Sequence, residues 1–361
     1  YPSPAYSPNS DGNEATSPVT AEVWAEHSVW PQDPQFPLAL AGGVTTLQIL
    51  PGSANLIGGR SVVLKNVSSR TVQGMKFPGA PYGLKMACGE NPKRVYGSKG
   101  RAPSTRMGNV AGYREAWIKA EDYRDKWQRY EEKLAKYNAE KEHEDDKGPP
   151  DKPTRDLQLE TLAGVLDGRI LVHNHCYRAD EMAVMIDISH EFGYHIATFE
   201  HAVEAYKIAD LLKQEGVCAS MWADWGRFKL ESFDGIEENI ALVDHAGACS
   251  IVHSDSATGI QRLNQEAGKA MAAGRRMGLD IPEGQAMRWL TLNPATALGI
   301  EKDTGSIEAG KMADLVLWDG DPFSVYTKTE RVFIDGALVF DRTTGLAPTT
   351  DFELGERRVT Q

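Results

Sequence analysis

From residue 157 onward, short apolar runs and amphipathic stretches take turns along the chain. Arg169–His173, Tyr194–Glu200, Val217–Trp222 and Cys249–Ser254 have the length and β-branched content of buried strands. Between and around them, Leu157–Leu166, Asp180–Phe192, Ala202–Glu215, Ile236–Ala246 and Gly259–Met277 carry apolar residues at helical spacing. Upstream, Gly43–Leu50, Ser61–Val67 and Tyr82–Cys88 read as three more strands, the first closed by Pro51-Gly52. Strands alternating with helices predict a parallel sheet. Crossovers all of one kind favour an α/β fold of the (β/α)8 TIM-barrel type over an open doubly wound sheet. No glycine-rich phosphate-binding motif follows any strand, which counts against a nucleotide fold.

Other stretches keep a different rhythm. Residues 1–35 are rich in Pro, Ser and Asn and read as a long loop, with a short helix near Val19–Ser28; Pro37–Gly42 adds one helical turn. Across about 113–148, Tyr113, Trp117, Ala120, Trp127, Tyr130, Leu134 and Tyr137 recur at helical period among alternating charges. This predicts an inserted surface helix with a narrow docking stripe, ended by Gly148-Pro149-Pro150. After a helix at Glu283–Leu292, the strands Leu315–Trp318, Val332–Ile334 and Ala337–Phe340, the last two joined by Asp335-Gly336, predict a small β appendage. The expected domains are thus a barrel over 1–303 and part of a β-sandwich over 304–361.

Composition narrows the function. A net charge of −12 over 361 residues argues against nucleic acid or anionic membrane as partner. No apolar run is long enough to span a bilayer. The partners expected are a small-molecule substrate and, optionally, further copies of the chain in a homo-oligomer. Cys88, Cys176, Cys218 and Cys249 are too few and too scattered for a disulfide framework, and read as free thiols.

In a parallel barrel the chemistry sits at the C-terminal strand ends. There the sequence places His173-Asn174-His175, His201 and Asp255, while the strand Tyr82–Cys88 carries Lys85 within it and Glu90 just beyond. Four strands delivering imidazole, carboxylate or amine to one face is a divalent-metal pattern, with zinc the first expectation. Tyr177 and Arg178 follow the His173 strand and are placed to clamp a substrate carboxylate; the alternative for Arg178 is an ion pair with Asp180 or Glu181. Trp222, Asp224, Trp225 and Arg227 either line the pocket or form a packed loop. Gly52–Asn55 and Gly58–Arg60 offer a flexible loop on the same face, and His253 an outer partner for the site.

The string TLNPATALGIEKDTGSIEAGKMADLVLWDGDP at 291–322 resembles the C-terminal signature of the amidohydrolase superfamily. GGVTT at 42–46, HNH at 173–175, EHA at 200–202 and HSDS at 253–256 resemble motifs of its imidazolonepropionase and metal-dependent dipeptidase branch, over roughly residues 40–345. The resemblance implies metal-dependent hydrolysis of an amide, cyclic amide or dipeptide-like C–N bond. It implies His173 and His201 as metal ligands, Asp255 as ligand and general base, and His175 facing the substrate carbonyl; the reverse order of His173 and His175 remains open. Lys85, carboxylated, or Glu90 would be the bridging ligand.

One departure stands out. The superfamily's first strand ends in an H-x-H pair, and none occurs before Gly42; His27 stands alone. The expectation is a chain that begins just after that strand, with seven of eight barrel strands and support for one metal ion rather than two. Two rival readings follow: a non-catalytic homologue used as a binding or assembly scaffold, and a lactonase or esterase on the same metal core.

Overall fold

A computed structural model describes residues 10–139 and 148–346. Seven strands form one curled sheet in sequence order: β1 (Thr46–Ile49), β2 (Ile57–Lys65), β3 (Tyr82–Ala87), β4 (Ile170–Cys176), β5 (Ile196–His201), β6 (Cys218–Met221) and β7 (Ser250–Val252). From β3 to β7 every pairing is parallel, as the strand–helix alternation requires. The expectation of a wholly parallel sheet fails at the start. β1 pairs antiparallel with β2, and β2 antiparallel with β3; the connection over 50–56 is too short for the dozen residues a parallel crossover needs, while that over 66–81 is a longer loop. Gly58–Arg60, read as loop, belong to β2.

Period-two alternation sorts the two faces of the sheet. Leu84, Met86, Val172, Phe199, Ala219 and Met221 point into the main core beneath the helices. Lys85, His173, Thr198, Glu200 and Ser220 take the alternate positions, and the register sets Lys85 beside His173 and Glu200 beside Ser220. β1 and β7 are not paired with each other. They flank a cavity of about 540 Å3 on the concave side, lined by Thr46–Leu50 and by Ile251–Ser256. The sheet is therefore a curled half-barrel with a seam.

The inserted helix runs Arg106–Ala139; residues 140–147 of the expected insertion lie outside the described set. Its stripe is buried only in the first half, where Tyr113, Trp117, Ala120 and Tyr123 pack inward and Trp117 meets Tyr194 at 4.5 Å between ring centres. A helix at Glu90–Gly97 was not foreseen. The expected helix at 283–292 is two, Glu283–Arg288 and Leu292–Ala297.

The appendage forms a single three-stranded antiparallel sheet of β8 (Leu315–Trp318), β9 (Thr329–Ile334) and β10 (Ala337–Asp341). Asp335 and Gly336 both hold positive φ, the two-residue hairpin turn that Asp-Gly favours. Among the described residues its three strands are the only ones outside the seven-stranded sheet. The Lys65 ammonium joins it to β2 through Asp335 and, at 3.7 Å, Asp314.

The cysteines overturn the free-thiol expectation. Cys88 is bonded to Cys176 across β3 and β4, and Cys218 to Cys249 across β6 and β7. Separations of 88 and 31 residues hid both pairs; strand adjacency, which the linear sequence does not display, brings them together.

Candidate active site

His173 stands at the centre of the concave wall, 1% exposed. Its Nδ1 lies 3.3 Å from Glu200 Oε1, and its Nε2 lies 3.2 Å from the Gln48 amide nitrogen. The amide nitrogen can only donate, so Nε2 accepts and Nδ1 carries the proton that Glu200 receives. Gln48 also donates to Ser61 Oγ at 2.8 Å. Gly83 makes this convergence possible: a Cβ there would stand 2.2 Å from Ser61 Oγ, 2.7 Å from the His173 ring and 3.0 Å from Gln48. Burial works against the Glu200 carboxylate, but the hydrogen bond from His173 and the charges around it hold its pKa below the usual range.

His201 ends β5 in the left-handed region at φ 73°, followed by Ala202 at 35°, and Asp255 beyond β7 sits at 50°. Non-glycine residues adopt such angles seldom and cluster where a site aims its side chains. His201 Nε2 lies 4.0 Å from Asp255 Oδ2, the His201 side chain buried and that of Asp255 open to solvent. The His201 ring is stacked on Trp222 at 4.5 Å and on Tyr177 at 5.3 Å, with His175 at 4.6 Å and His253 at 5.0 Å. Burial, reinforced by neighbouring positive groups, pushes the pKa of His175 and His201 well below the ordinary imidazole value, and burial lowers that of His253. All three stay neutral at physiological pH.

Lys85 is buried and donates to the Pro51 carbonyl at 2.9 Å. Desolvation lowers its pKa against the pull of Asp255 and Glu200. Glu90 is engaged with Lys229 at 3.4 Å. Lys229 also meets Glu231 at 3.3 Å, lies 4.0 Å above the Tyr177 ring, and donates to Asn91 Oδ1 at 3.4 Å. Asn91 Nδ2 in turn reaches His175 Nε2 at 3.3 Å, so the ring that the resemblance placed by the substrate carbonyl is oriented from the helix Glu90–Gly97. Arg178 takes its alternative role, donating to Asp180 at 2.9 Å on the surface.

The donor types suit a divalent ion. The imidazoles are neutral, and the Nδ1 of His175, the Nδ1 of His201 and the Nε2 of His253 have no hydrogen-bond partner. Their spacing is not that of a closed shell: among the described residues no three His, Cys, Asp or Glu side chains group tightly enough to hold a metal. Gln48, Glu200, Asn91 and Lys229 were not singled out in the sequence. Glu200 had a signal, since it immediately precedes His201 on a strand end; Gln48 had none, because its role depends on β1 folding back beside β2.

A curled α/β sheet with its imidazoles and a carboxylate at the C-terminal ends of parallel strands is the arrangement of a barrel-type fold. The chain belongs to the amidohydrolase family, whose model matches residues 39–344. It is 38% identical to a solved amidohydrolase from Thermotoga maritima MSB8, with a TM-score of 0.82, over 94% of this chain and 83% of that one. It is 32% identical over 358 residues to amidohydrolase tasK of Hapsidospora irregularis, covering 94% of this chain but only 35% of that protein. A stretch of 69 residues is 42% identical to the N-substituted formamide deformylase of Arthrobacter pascens, 18% of this chain and 13% of that enzyme.

Proposed function

We propose that the chain hydrolyses a C–N bond of an amide, cyclic amide or dipeptide-like small molecule, with Asp255 as the proton-transferring group. The observation that carries this is the approach of Asp255 Oδ2 to His201 Nε2 at 4.0 Å, beside the cavity that holds His173 and Glu200. His173 and His201, with Asp255 and either Lys85 as a carbamate or Glu90, would hold a divalent ion, zinc first. Such an ion would acidify water and polarise the scissile carbonyl. Asp255, exposed at the cavity wall, accepts the proton and returns it to the leaving nitrogen. His175, neutral and oriented by Asn91, faces the carbonyl oxygen and steadies the charge that develops there. Tyr177 walls the substrate beside it.

The loose spacing of the donors favours a second reading, a family member that binds small molecules without turnover. The deciding experiment loads the purified chain with zinc and offers it N-acyl amino acids, dipeptides and lactones. Amide hydrolysis that a chelator abolishes supports the proposal. Zinc-loaded protein that cleaves lactones alone, or nothing, overturns it.

A further inference from the structure

Beside the cavity of His173 lies a second one, of about 310 Å3, which shares none of its lining and opens on His201. Its walls include Val203, Trp222, Trp225 and Ile236. The volume falls at the small end of ligand pockets. His201, only 4% exposed, is one of its lining residues, and the Nδ1 of that ring has no hydrogen-bond partner.

The aromatic wall is continuous. Trp225 meets Trp222 at 5.0 Å, Trp222 stacks on His201 at 4.5 Å, and His201 stacks on Tyr177 at 5.3 Å. Phe228 stands 5.5 Å from Trp225 and 5.9 Å from Trp222. Yet Trp225 is 52% exposed and Phe228 50%, so the outer end of the stack leaves ring surface in water. Large apolar side chains exposed together mark a surface awaiting a partner. The loop that carries them is held in place, with Arg227 at φ 63° and Lys229 clamped by Glu90, Glu231 and the Tyr177 face.

Charge does not select a cation here. Of the acids in the lining, Asp224 is paired with Lys269 at 2.9 Å and Glu237 with Arg276 at 2.8 Å. That leaves Glu238 and Arg227, opposite in sign. The ring faces of Trp222 and Trp225 supply the planar apolar part of a lining that is otherwise mostly polar.

We propose that the cavity between Trp222, Trp225 and His201 binds a planar aromatic group of the substrate, making aryl-bearing amides the substrate class. The inference rests on the amide-hydrolase reading. An aromatic ring entering the cavity continues the stack outward and covers the open face of Trp225, while its amide reaches toward His201 and Asp255.

The test compares benzamide with acetamide, which share the amide and differ by the ring, on the Asp255→Asn protein by ligand-observed NMR. Benzamide binds saturably and acetamide much more weakly. Trp225→Ala weakens benzamide roughly fivefold, the worth of one ring–ring contact, whereas Trp225→Phe retains most of the binding. The thermal midpoint of both variants matches that of the parent. Equal binding of the two amides, or a Trp225→Ala protein that binds benzamide as the parent does, overturns the inference. Ring-dependent binding in a protein whose zinc-loaded form cleaves no amide would instead leave the cavity assigned and the hydrolase reading refuted.

Discussion

The Nδ1 proton of His173 is held by Glu200 Oε1 at 3.3 Å, across neighbouring strands that the register sets side by side. This fixes the tautomer and leaves Nε2 as the unprotonated nitrogen, the one that accepts from Gln48. Replacing Glu200 with Gln keeps a hydrogen-bond acceptor but removes the charge that strengthens the imidazole. Zinc affinity, measured by chelator competition, should fall about tenfold. A Glu200→Gln protein with parental affinity would show that the pair is structural alone.

The Asp255 side chain is solvent-exposed and, among the described residues, makes no hydrogen bond that supports the fold, so Asp255→Asn should leave the thermal midpoint where it was. Amide turnover, by contrast, should drop by about a hundredfold or more, the usual worth of a positioned base. Turnover within a factor of three of the parent would remove Asp255 from that role.

Glu181 gives the fold a pH signature. Burial, then repulsion from Glu231, raises its pKa to about 7, and its Oε2 has no partner. The folded state therefore keeps a proton that the unfolded chain has already lost above pH 4.5. Stability falls as pH rises from there to about 7 and is flat beyond. Glu181→Gln removes this penalty. Its urea midpoint should equal the parent's at pH 4 and exceed it at pH 8 by an amount worth about 1–2 kcal/mol after solvent screening. A gain of the same size at both pH values would contradict the assignment.

Each cystine closes a long loop. Replacing Cys88 and Cys176 together with Ser should cost about 2–5 kcal/mol of unfolding free energy. Urea unfolding of the variant and the parent, both without reductant, measures it; coincident curves would mean that the crosslink does not constrain the unfolded chain.

Much of the fold was legible because period and length are local properties. All seven strands of the curled sheet and the Asp335-Gly336 hairpin were visible as short apolar runs between turn residues. The antiparallel start was not, since strand direction depends on loop geometry that pattern does not encode. At the site, His173, His201 and Asp255 announced themselves as ligand-type residues at strand ends. Gln48 and Gly83 did not: one reaches His173 across a fold of the chain, and the other matters through the side chain it lacks. The cystines failed for the same reason, being contacts of register rather than of sequence.

The unpaired seam between β1 and β7 has a mechanical consequence. Adjacent strands inside the sheet are locked in register by hydrogen bonds, and the cystines crosslink β3 to β4 and β6 to β7. The two rims share no such lock. A curled sheet with free rims behaves as a split ring, whose stiffness resides in its back and whose compliance gathers at the gap. The rim that carries Gln48 on one side and leads to Asp255 on the other thus has no hydrogen-bonded strand across the gap, whereas His173 and Glu200 sit on strands bonded directly to each other.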